Sequence, residues 1–481
     1  MPRAAARGES ASDDRGVARG AKKGGFDAVP LDFATDASCV TARSYTVFSA
    51  RSIQTGLSSL NNLKTKGGEM MKKGSKIRFS GIVLVGLVVA LSLMMLPALS
   101  EARDIKVGIV DTYSGPPAVY GNDALNGFKM AVEEINKEGV LGGKIEFTTR
   151  DEKFKPDIAI SMAKELVMRE NVDVLVGTIN SGAALAISEA VAKAEKVPFI
   201  VWISKSEKIT GELGHRYVFS AAENTAMAGK AGGVGLAKRP YKKYWIAGED
   251  YEYGHAIADA VWRYLKAAKP DVEKIGESWW KIGEPDLVPY LTAIEAAKPD
   301  AVIFCTGGSG MTNCIKQINA TGFSKKIPSW FHTAIDHAVL KPLGAEAPDG
   351  VMGTIQYLFY YPQTPENKAF ADAFQKAYGS PPGFPAFNAY VTAKLIAGAY
   401  KKAGKIDKEK FIDALEGLKV ASPAGGMVEM RACDHQVIYP MHFGTTKKLP
   451  QYEFVTASDL VTLTGDEVMP KCEDVLKTRK Q

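Results

Sequence analysis

The sequence predicts an α/β protein with two lobes, each built on a mostly parallel β-sheet. Three observations lead to this fold class. Short runs rich in β-branched residues alternate with amphipathic helical stretches, and this order forms right-handed βαβ units. The alternation begins at residue 104, reaches a short polar connection at 221–224 and then starts again. The chain has 481 residues, which is long for one compact domain and ordinary for two.

The first half of the alternation supplies one sheet. Its strand candidates are rich in Val and Ile, and the stretches between them place apolar residues at helical spacing. Because a helix separates most of the consecutive strands, we expect the strands to run parallel. The predicted strands are 105–110, 144–149, 172–177, 197–203 and 215–220, and the predicted helices are 126–138, 157–170 and 183–194.

The second half repeats this rhythm and then adds helices and a strand-rich tail. A Gly-containing connection at 350–354 resembles the polar one at 221–224, and both indicate a hinge of several crossings instead of a flexible linker. The predicted elements are helices 225–238, 255–268 and 311–321, strands 243–247, 273–280, 300–304 and 350–355, helices 366–378, 386–403 and 408–418, and a strand-like tail at 427–455.

Net charge gives no indication of a nucleic-acid partner. The formal charge is +6, but residues 1–102 hold 14 Lys and Arg against 8 Asp and Glu, so the remaining residues are neutral in sum. Nucleic-acid binding is dominated by Lys and Arg contacts to phosphates. No nucleic-acid partner is therefore predicted.

Residues 70–102 have the three parts of a signal peptide: a basic start, an uncharged stretch at 81–96, and a small-residue cleavage site ending at Ala102. Cleavage would release a free periplasmic protein. The alternative of an uncleaved membrane anchor stays open, because the uncharged stretch is nearly long enough to span a bilayer. Residues 1–69 show neither helical nor strand periodicity, and we expect them to be an untranslated or disordered leader, with translation starting near Met70.

Four of the five cysteines follow the signal peptide, in a compartment where disulfides form. Cys433 and Cys472 are the predicted pair, because both lie in the loop-rich C-terminal segment, whereas Cys305 lies in a strand. The alternative of four reduced thiols stays open, since a sequence does not give connectivity. Neither these cysteines nor the six scattered histidines complete a zinc motif, so no metal or other cofactor is predicted.

An NAD-type dehydrogenase is the enzyme alternative for a βαβ chain. Its fingerprint, G-x-G-x-x-G, must follow the first strand directly. Here residues 111–117 read DTYSGPP, and the glycine-rich run 307–310 lacks both the last glycine of the fingerprint and the G-x-S-x-G form of a nucleophile elbow. A non-catalytic binding protein is therefore predicted.

Several short motifs occur in a fixed order between residues 104 and 460. They are DIKVGIV at 104–110, SGP at 114–116, VYG at 119–121, AVEEIN at 131–136, GGK at 142–144, VGTINS at 176–181, and the runs 249–254 and 300–307. In their order and spacing they resemble the type I periplasmic binding proteins of the leucine/isoleucine/valine family.

This resemblance implies two doubly wound lobes, a hinge of three crossings, and a ligand held at the carboxyl ends of the strands. It divides the chain into a first lobe of 104–221 with 352–428 and a second lobe of 222–351 with 429–470. It also implies a monomeric substrate-binding component of an ABC importer, whose lobes close on a small carboxylated solute and deliver it to an inner-membrane permease.

Strand ends of the first lobe supply the predicted carboxylate site. Asn180 and Ser181 open the helix after strand 172–177, where free backbone N–H groups and a positive dipole favour an anion. The resemblance assigns Ser181 to the carboxylate of the ligand, although either residue could instead cap the helix. Ser204 and Lys205 follow the neighbouring strand. Lys205 stands where the family usually has Thr, and its alternative is a solvated rim lysine.

Two tyrosines and one glycine-containing turn complete the predicted site. The resemblance implies that Tyr253 closes over the ligand from the second lobe and that Tyr120 lies near the cleft mouth, although either ring could simply pack at a strand end. Thr306 and Gly307 follow the strand 300–304, and a ligand can approach their backbone closely because glycine lacks a Cβ.

The residue at position 333 bears on the class of ligand. Amino-acid binders of the family offer a glutamate to the ammonium group of the ligand, and Thr333 stands at that place here. Burying an ammonium group without a paired carboxylate is costly. A branched-chain or related amino acid is the predicted ligand, and an aromatic or other non-amino carboxylic acid is the alternative.

Overall fold

Residues 103–115 and 117–479 are the part of the chain that the computed structural model describes. The predicted leader at 1–69 and the predicted signal peptide at 70–102 lie outside these described residues. Among the described residues, no helix has the length and apolar character needed to cross a bilayer. The predicted fold class is confirmed, since two mostly parallel sheets with flanking helices form two lobes.

The first part of the described chain gives the first lobe a sheet of five parallel strands and three of its helices. In chain order its elements are β1 Ile105–Asp111, α1 Ala118–Glu138, β2 Ile145–Asp151, α2 Pro156–Met168, β3 Val174–Gly177, α3 Ser181–Ile187 with a π-helical continuation Ser188–Lys193, β4 Phe199–Val201 and β5 Val218–Ser220. The strand order is β2-β1-β3-β4-β5. One face packs against α1 and the other against α2 and α3, so the inner strands are buried and almost wholly apolar.

The second lobe begins with an alternation of the same kind. Its elements are α4 Thr225–Ala237, β6 Lys243–Glu249, α5 Glu252–Ala268, β7 Glu273–Trp280, α6 Val288–Ala297, β8 Ala301–Cys305, α7 Gly308–Ala320, α8 Phe323–Lys326, β9 Ser329–His332, α9 His337–Leu343 and β10 Met352–Ile355. These five strands pair in parallel in the order β10-β9-β8-β6-β7.

The chain then returns to the first lobe. This segment contains α10 Pro365–Tyr378, α11 Phe384–Ala403, α12 Lys408–Leu415, and a small antiparallel sheet of β11 Lys419–Ala421, β12 Met427–Met430 and β13 Val437–Ile438. The long helix α11 packs along α1. Gly127 of α1 permits this approach, because a Cβ there would lie 2.1 Å from the carbonyl oxygen of Ala386.

The last segment completes the second sheet. Its elements are β14 Met441–Lys448, β15 Val455–Leu463, α13 Gly465–Val468 and α14 Cys472–Thr478. Strands β14 and β15 extend the sheet antiparallel beyond β10, giving seven strands in all. Cys433 and Cys472 are joined by a disulfide with their Cα atoms 6.0 Å apart, and Cys305 and Cys314 are buried free thiols.

Strand pairing shifts two of the predicted lobe boundaries. Residues 352–355 form β10 in the second sheet, although the prediction gave them to the first lobe. Strand β13 pairs with β12 in the small sheet, although the prediction gave 429–438 to the second lobe. The chain therefore crosses between lobes after β5, after β10 and after β13. The Gly-containing run at 350–354 lies mostly within β10, ahead of the crossing, and does not mark the crossing itself.

The first helix starts earlier than the predicted residue 126. It begins at Ala118, directly after Pro117, and its first turns include Gly121. A Cβ at Gly121 would lie 2.2 Å from the carbonyl oxygen of Thr112, so the helix start packs against the turn after β1. A glycine followed by polar residues obscures helical periodicity in the sequence, and tertiary packing fixes the helix start instead.

Candidate ligand-binding site

A cavity of about 270 Å³ lies between the lobes, at the carboxyl ends of strands from both sheets. Doubly wound sheets hold ligands at this edge. Aromatic rings and isoleucines dominate the wall, and its charged side chains are two lysines and one glutamate. The lining residues with side chains that matter here are Tyr120, Lys153, Phe154, Ile179, Ser181, Ile203, Lys205, Glu249, Tyr251, Tyr253, Ile282, Thr333 and Phe384.

The start of α3 gives its two polar residues different roles. Asn180 Oδ1 accepts a hydrogen bond from the Ala183 N–H at 3.2 Å, and Asn180 Nδ2 donates to the Phe154 carbonyl at 2.9 Å. Asn180 is therefore the helix cap and does not line the cavity. Ser181 does line it, and its Oγ accepts from the Lys205 N–H at 3.3 Å. The Ser181 hydroxyl can therefore donate its proton to an acceptor on a ligand.

The two predicted site residues after β4 also have different roles. Ser204 Oγ donates to the Thr178 carbonyl at 2.6 Å and lies behind the cavity wall. Lys205 lines the cavity, and the alternative of a solvated rim lysine is wrong because this residue is only 6% exposed. Its Nζ forms an ion pair with Glu223 and lies 4.1 Å from the ring centroid of Phe384.

Lys205 belongs to a buried polar chain that joins the lobes. Glu223 Oε1 is 3.1 Å from His332 Nε2, and His332 Nδ1 is 3.0 Å from Thr354 Oγ1. Burial lowers the pKa of His332, so the ring is neutral and donates to Glu223. Burial raises the pKa of Glu223, but Lys205 and His332 together outweigh burial and hold it below the ordinary value. Lys205 therefore faces the cavity with a charged partner behind it.

The wall of the second lobe carries the other polar groups. Glu249, the last residue of β6, lines the cavity, while Thr306 lies behind it and donates from Oγ1 to Glu249 Oε2 at 2.7 Å. Tyr253 and Gly307 both line the cavity, and a Cβ at Gly307 would lie 3.2 Å from the Tyr253 ring. The absence of a side chain at Gly307 therefore leaves space beside the ring. Tyr251 adds a second ring, 5.8 Å from that of Tyr253.

Thr333 lines the cavity where the family was expected to carry a glutamate. Its φ of +68° is a left-handed conformation that β-branched residues rarely adopt, which is a feature typical of functional positions. The carboxylate of the nearby Asp336 does not line the cavity. Asp336 Oδ1 accepts from the Ala338 N–H at 2.8 Å, and Oδ2 accepts from the Phe384 N–H at 3.3 Å.

Polar contacts join the lobes at the cleft edge. Ser206, in the first lobe, donates to Glu252 at the start of α5 at 2.7 Å, and Lys208 lies 3.0 Å from the same carboxylate. Arg263 donates two hydrogen bonds to Glu207, at 3.1 and 3.0 Å. These contacts join the two lobes beside the cavity.

Glu249, Tyr251, Phe154 and Phe384 line the cavity but were not among the predicted site residues. Glu249 had a usable signal, because it ends a strand in the same way that Ser181 follows one. Phe384 had none, since it comes from the first turn of α11, far along the chain from Lys205 and Tyr120, whose side chains it contacts.

The fold and the cavity together define a two-lobed binding protein that encloses a small solute between its lobes. The family model described as periplasmic binding protein matches residues 104–449, and the chain belongs to this family. Its predicted relationship to these solute-binding proteins is thereby confirmed.

Individual relatives are similar over most of their length. The leucine-, isoleucine-, valine-, threonine- and alanine-binding protein of Pseudomonas aeruginosa is 27% identical over 361 residues, which cover 74% of this chain and 92% of the relative. A solute-binding protein of an ABC transporter from Rhodopseudomonas palustris, solved with 3,4-dihydroxybenzoic acid, is 25% identical with a TM-score of 0.68, covering 75% of this chain and 98% of that one. A branched-chain amino-acid ABC transporter protein from the same species is 25% identical with a TM-score of 0.60, covering 76% and 98%.

Proposed function

We propose that this protein binds a small aromatic carboxylate between its lobes, without chemical turnover, and delivers it to an ABC importer. The observation that carries the proposal is the composition of the cavity wall, in which five aromatic rings surround a site with two lysines and one glutamate. Flat rings pack favourably against aromatic side chains. Lys153 and Lys205 can each attract a ligand carboxylate, and Glu223 balances the charge of Lys205 from behind the wall.

The carboxylate would bind on the first-lobe wall. Ser181 has a free hydroxyl proton there, and the buried ammonium group of Lys205 lies on the same wall. A hydrogen bond to an ionised group is stronger than one between neutral groups. Thr333, on the second-lobe side, offers no charge to an ammonium group, which supports a ligand without an amine.

A branched-chain or related amino acid is the second candidate, and Glu249 is the observation in its favour. A buried carboxylate in the cavity wall could pair with an α-ammonium group. The relative from Pseudomonas aeruginosa is named for amino-acid ligands, whereas one of the solved relatives carries an aromatic acid. Both ligand classes are therefore represented among similar proteins.

A calorimetric titration of the protein, freed of carried-over ligand by unfolding and refolding, separates the two candidates. We expect benzoate to bind and leucine to bind far more weakly or not at all. Tight leucine binding with no benzoate binding would overturn the proposal. Cyclohexanecarboxylate is the matched control ligand, because it keeps the carboxylate and the ring size but lacks the flat face, and it should bind more weakly than benzoate.

The rest of the proposed role concerns location and partners. We propose that residues 70–102 direct export, that the protein acts as a monomer in the periplasm, and that its closed lobes present the ligand to an inner-membrane permease. The contacts of Ser206, Lys208 and Glu207 across the cleft support such a closed form. N-terminal sequencing of the exported protein tests the first point, and a mature chain that begins near Arg103 is expected.

A further inference from the structure

Glu249 is the one acidic side chain among the residues that line the described cavity. It ends β6 on the second-lobe wall and is 3% exposed, so its carboxylate is largely removed from water. A buried carboxylate is costly unless hydrogen bonds satisfy it. The hydrogen bonds that Glu249 accepts from the protein therefore determine how many a ligand must donate.

Neutral donors from the protein satisfy this carboxylate only in part. Thr306 Oγ1 donates to Oε2 at 2.7 Å and the Gly283 N–H donates to Oε1 at 3.1 Å. A carboxylate can accept about four hydrogen bonds. At least one acceptor position is therefore left for a ligand. Among residues 103–115 and 117–479, Glu249 forms no ion pair that would use it.

A glycine faces the same carboxylate. A Cβ at Gly310 would lie 2.3 Å from Glu249 Oε1 and 2.4 Å from Oε2. Any other residue at position 310 would press on the carboxylate and displace it. Gly310 also lines the cavity, so both residues contribute to the same part of the second-lobe wall.

Resting on the proposed aromatic carboxylate ligand, we propose that Glu249 selects a ring that carries a hydrogen-bond donor, such as a hydroxyl, at the end remote from the carboxylate. The carboxylate is held by Ser181 and Lys205 on the first-lobe wall, so the other end of the ring faces the second-lobe wall. A hydroxyl there donates to Glu249. An unsubstituted ring leaves the acceptor unsatisfied, and an ether oxygen places a second acceptor against it. The substrate class is therefore the hydroxylated aromatic acids.

Three ligands test this on the unaltered protein by calorimetry at one pH. They are benzoate, 4-hydroxybenzoate and 4-methoxybenzoate. We expect 4-hydroxybenzoate to bind about tenfold or more tighter than benzoate, because hydrogen bonds to charged groups have net effects of this size. We expect 4-methoxybenzoate to bind more weakly than benzoate. Equal affinity for benzoate and 4-hydroxybenzoate would overturn the selection by Glu249 and leave the proposed function standing.

A pair of variants assigns the preference to the residue. In Glu249→Gln the ratio of the two affinities should fall to about threefold or less, because the amide is uncharged and a neutral acceptor gives a weaker bond. Glu252→Gln is the matched control: Glu252 lies close by in the chain and bonds across the lobes, but it does not line the cavity, so the ratio should be unchanged. A ratio that stays high in Glu249→Gln would contradict the proposal.

Two outcomes keep the inference and the proposed function apart. If leucine binds and neither acid does, the proposed function fails and the inference fails with it. If Glu249→Gln does not fold, as judged by circular dichroism, the ligand series on the unaltered protein still decides, because a preference for 4-methoxybenzoate over 4-hydroxybenzoate would contradict a carboxylate acceptor at the second-lobe wall.

Discussion

At the scale of single residues, Ser181 carries the most direct test of carboxylate binding. Replacing Ser181 by Ala removes the hydroxyl proton that can reach the ligand and leaves the helix cap at Asn180 in place. Affinity for benzoate should fall by about 1.5–3 kcal/mol, the usual net effect of a hydrogen bond to a charged group. Calorimetry measures the change. Asn180→Ser is the control, since Ser also caps helices and should alter affinity little. A loss of affinity in Asn180→Ser alone would contradict the assignment of the carboxylate site to Ser181.

Lys205 tests the buried ion pair. Lys205→Met removes the positive charge but leaves Glu223 buried, with His332 as its remaining partner. Breaking a buried pair from one side typically costs about 3–5 kcal/mol, so the free energy of unfolding should drop by that order. Denaturant titration measures it.

The double variant Lys205→Met with Glu223→Gln separates charge burial from packing. Both charges are then absent, and Gln keeps an acceptor for His332. The double variant should recover much of the lost stability while still binding benzoate weakly. Equal stability of the single and double variants would show that Glu223 is not the source of the loss.

At the scale of elements, the contact of α1 with α11 depends on Gly127. A Cβ added there meets backbone atoms of Ala386, which cannot rotate away. Gly127→Ala should therefore destabilise by about 1–3 kcal/mol through overpacking, and affinity should fall as well because α11 carries Phe384. Gly398→Ala is the matched control in a helix, since the atoms nearest to its Cβ would belong to the Leu418 and Val420 side chains, at 3.3 Å or more. The control should be neutral or stabilising, because Ala has the higher helix propensity.

Elements were largely predictable because their signals are local. The strands that form β1, β6 and β8 have runs of β-branched or aromatic residues bounded by turns, and the structure confirms them. What could not be predicted depends on distant contacts. The start of α1 follows from its packing against Thr112, and the lobe of β10 follows from pairing with β9 and β14.

The candidate site shows the same division. The rule that ligands bind at strand ends identified Ser181, Lys205 and Gly307 as cavity residues. The same rule could not decide that Asn180 and Ser204 point into the protein, because side-chain direction at a strand end depends on the hydrogen bonds that surround it.

At the scale of the whole molecule, two carboxyl groups from different lobes meet at the start of α11. Asp123 of α1 accepts from the Gly383 and Ala386 N–H groups at 3.2 Å each, and Asp336 of the second lobe accepts from the Phe384 N–H. Burial raises the pKa of Asp123 to about 7 and that of Asp336 to about 8, and their mutual repulsion adds to the second shift. The other groups facing them are Tyr120, Tyr357 and Lys205, of which Lys205 opposes the shift.

The sign of the resulting pH dependence follows from linkage. A carboxyl whose pKa is raised in the closed form holds its proton more tightly there than when the lobes separate and water reaches it. For Asp336, whose hydrogen-bond partners lie in both lobes, the closed form is therefore favoured at low pH, and this contribution is lost as the pH rises through about 8. Affinity for benzoate, whose own charge is constant in this range, should fall by roughly threefold or more between pH 6 and pH 9. In Asp336→Asn the slope of affinity against pH should flatten.

Glu152→Gln is the control for this prediction. Burial also raises the pKa of Glu152 to about 8, but its hydrogen-bond partners, Thr112 and Thr178, lie in the first lobe alone. Its slope should match that of the unaltered protein, and an equally flattened slope in the control would place the proton uptake within the first lobe.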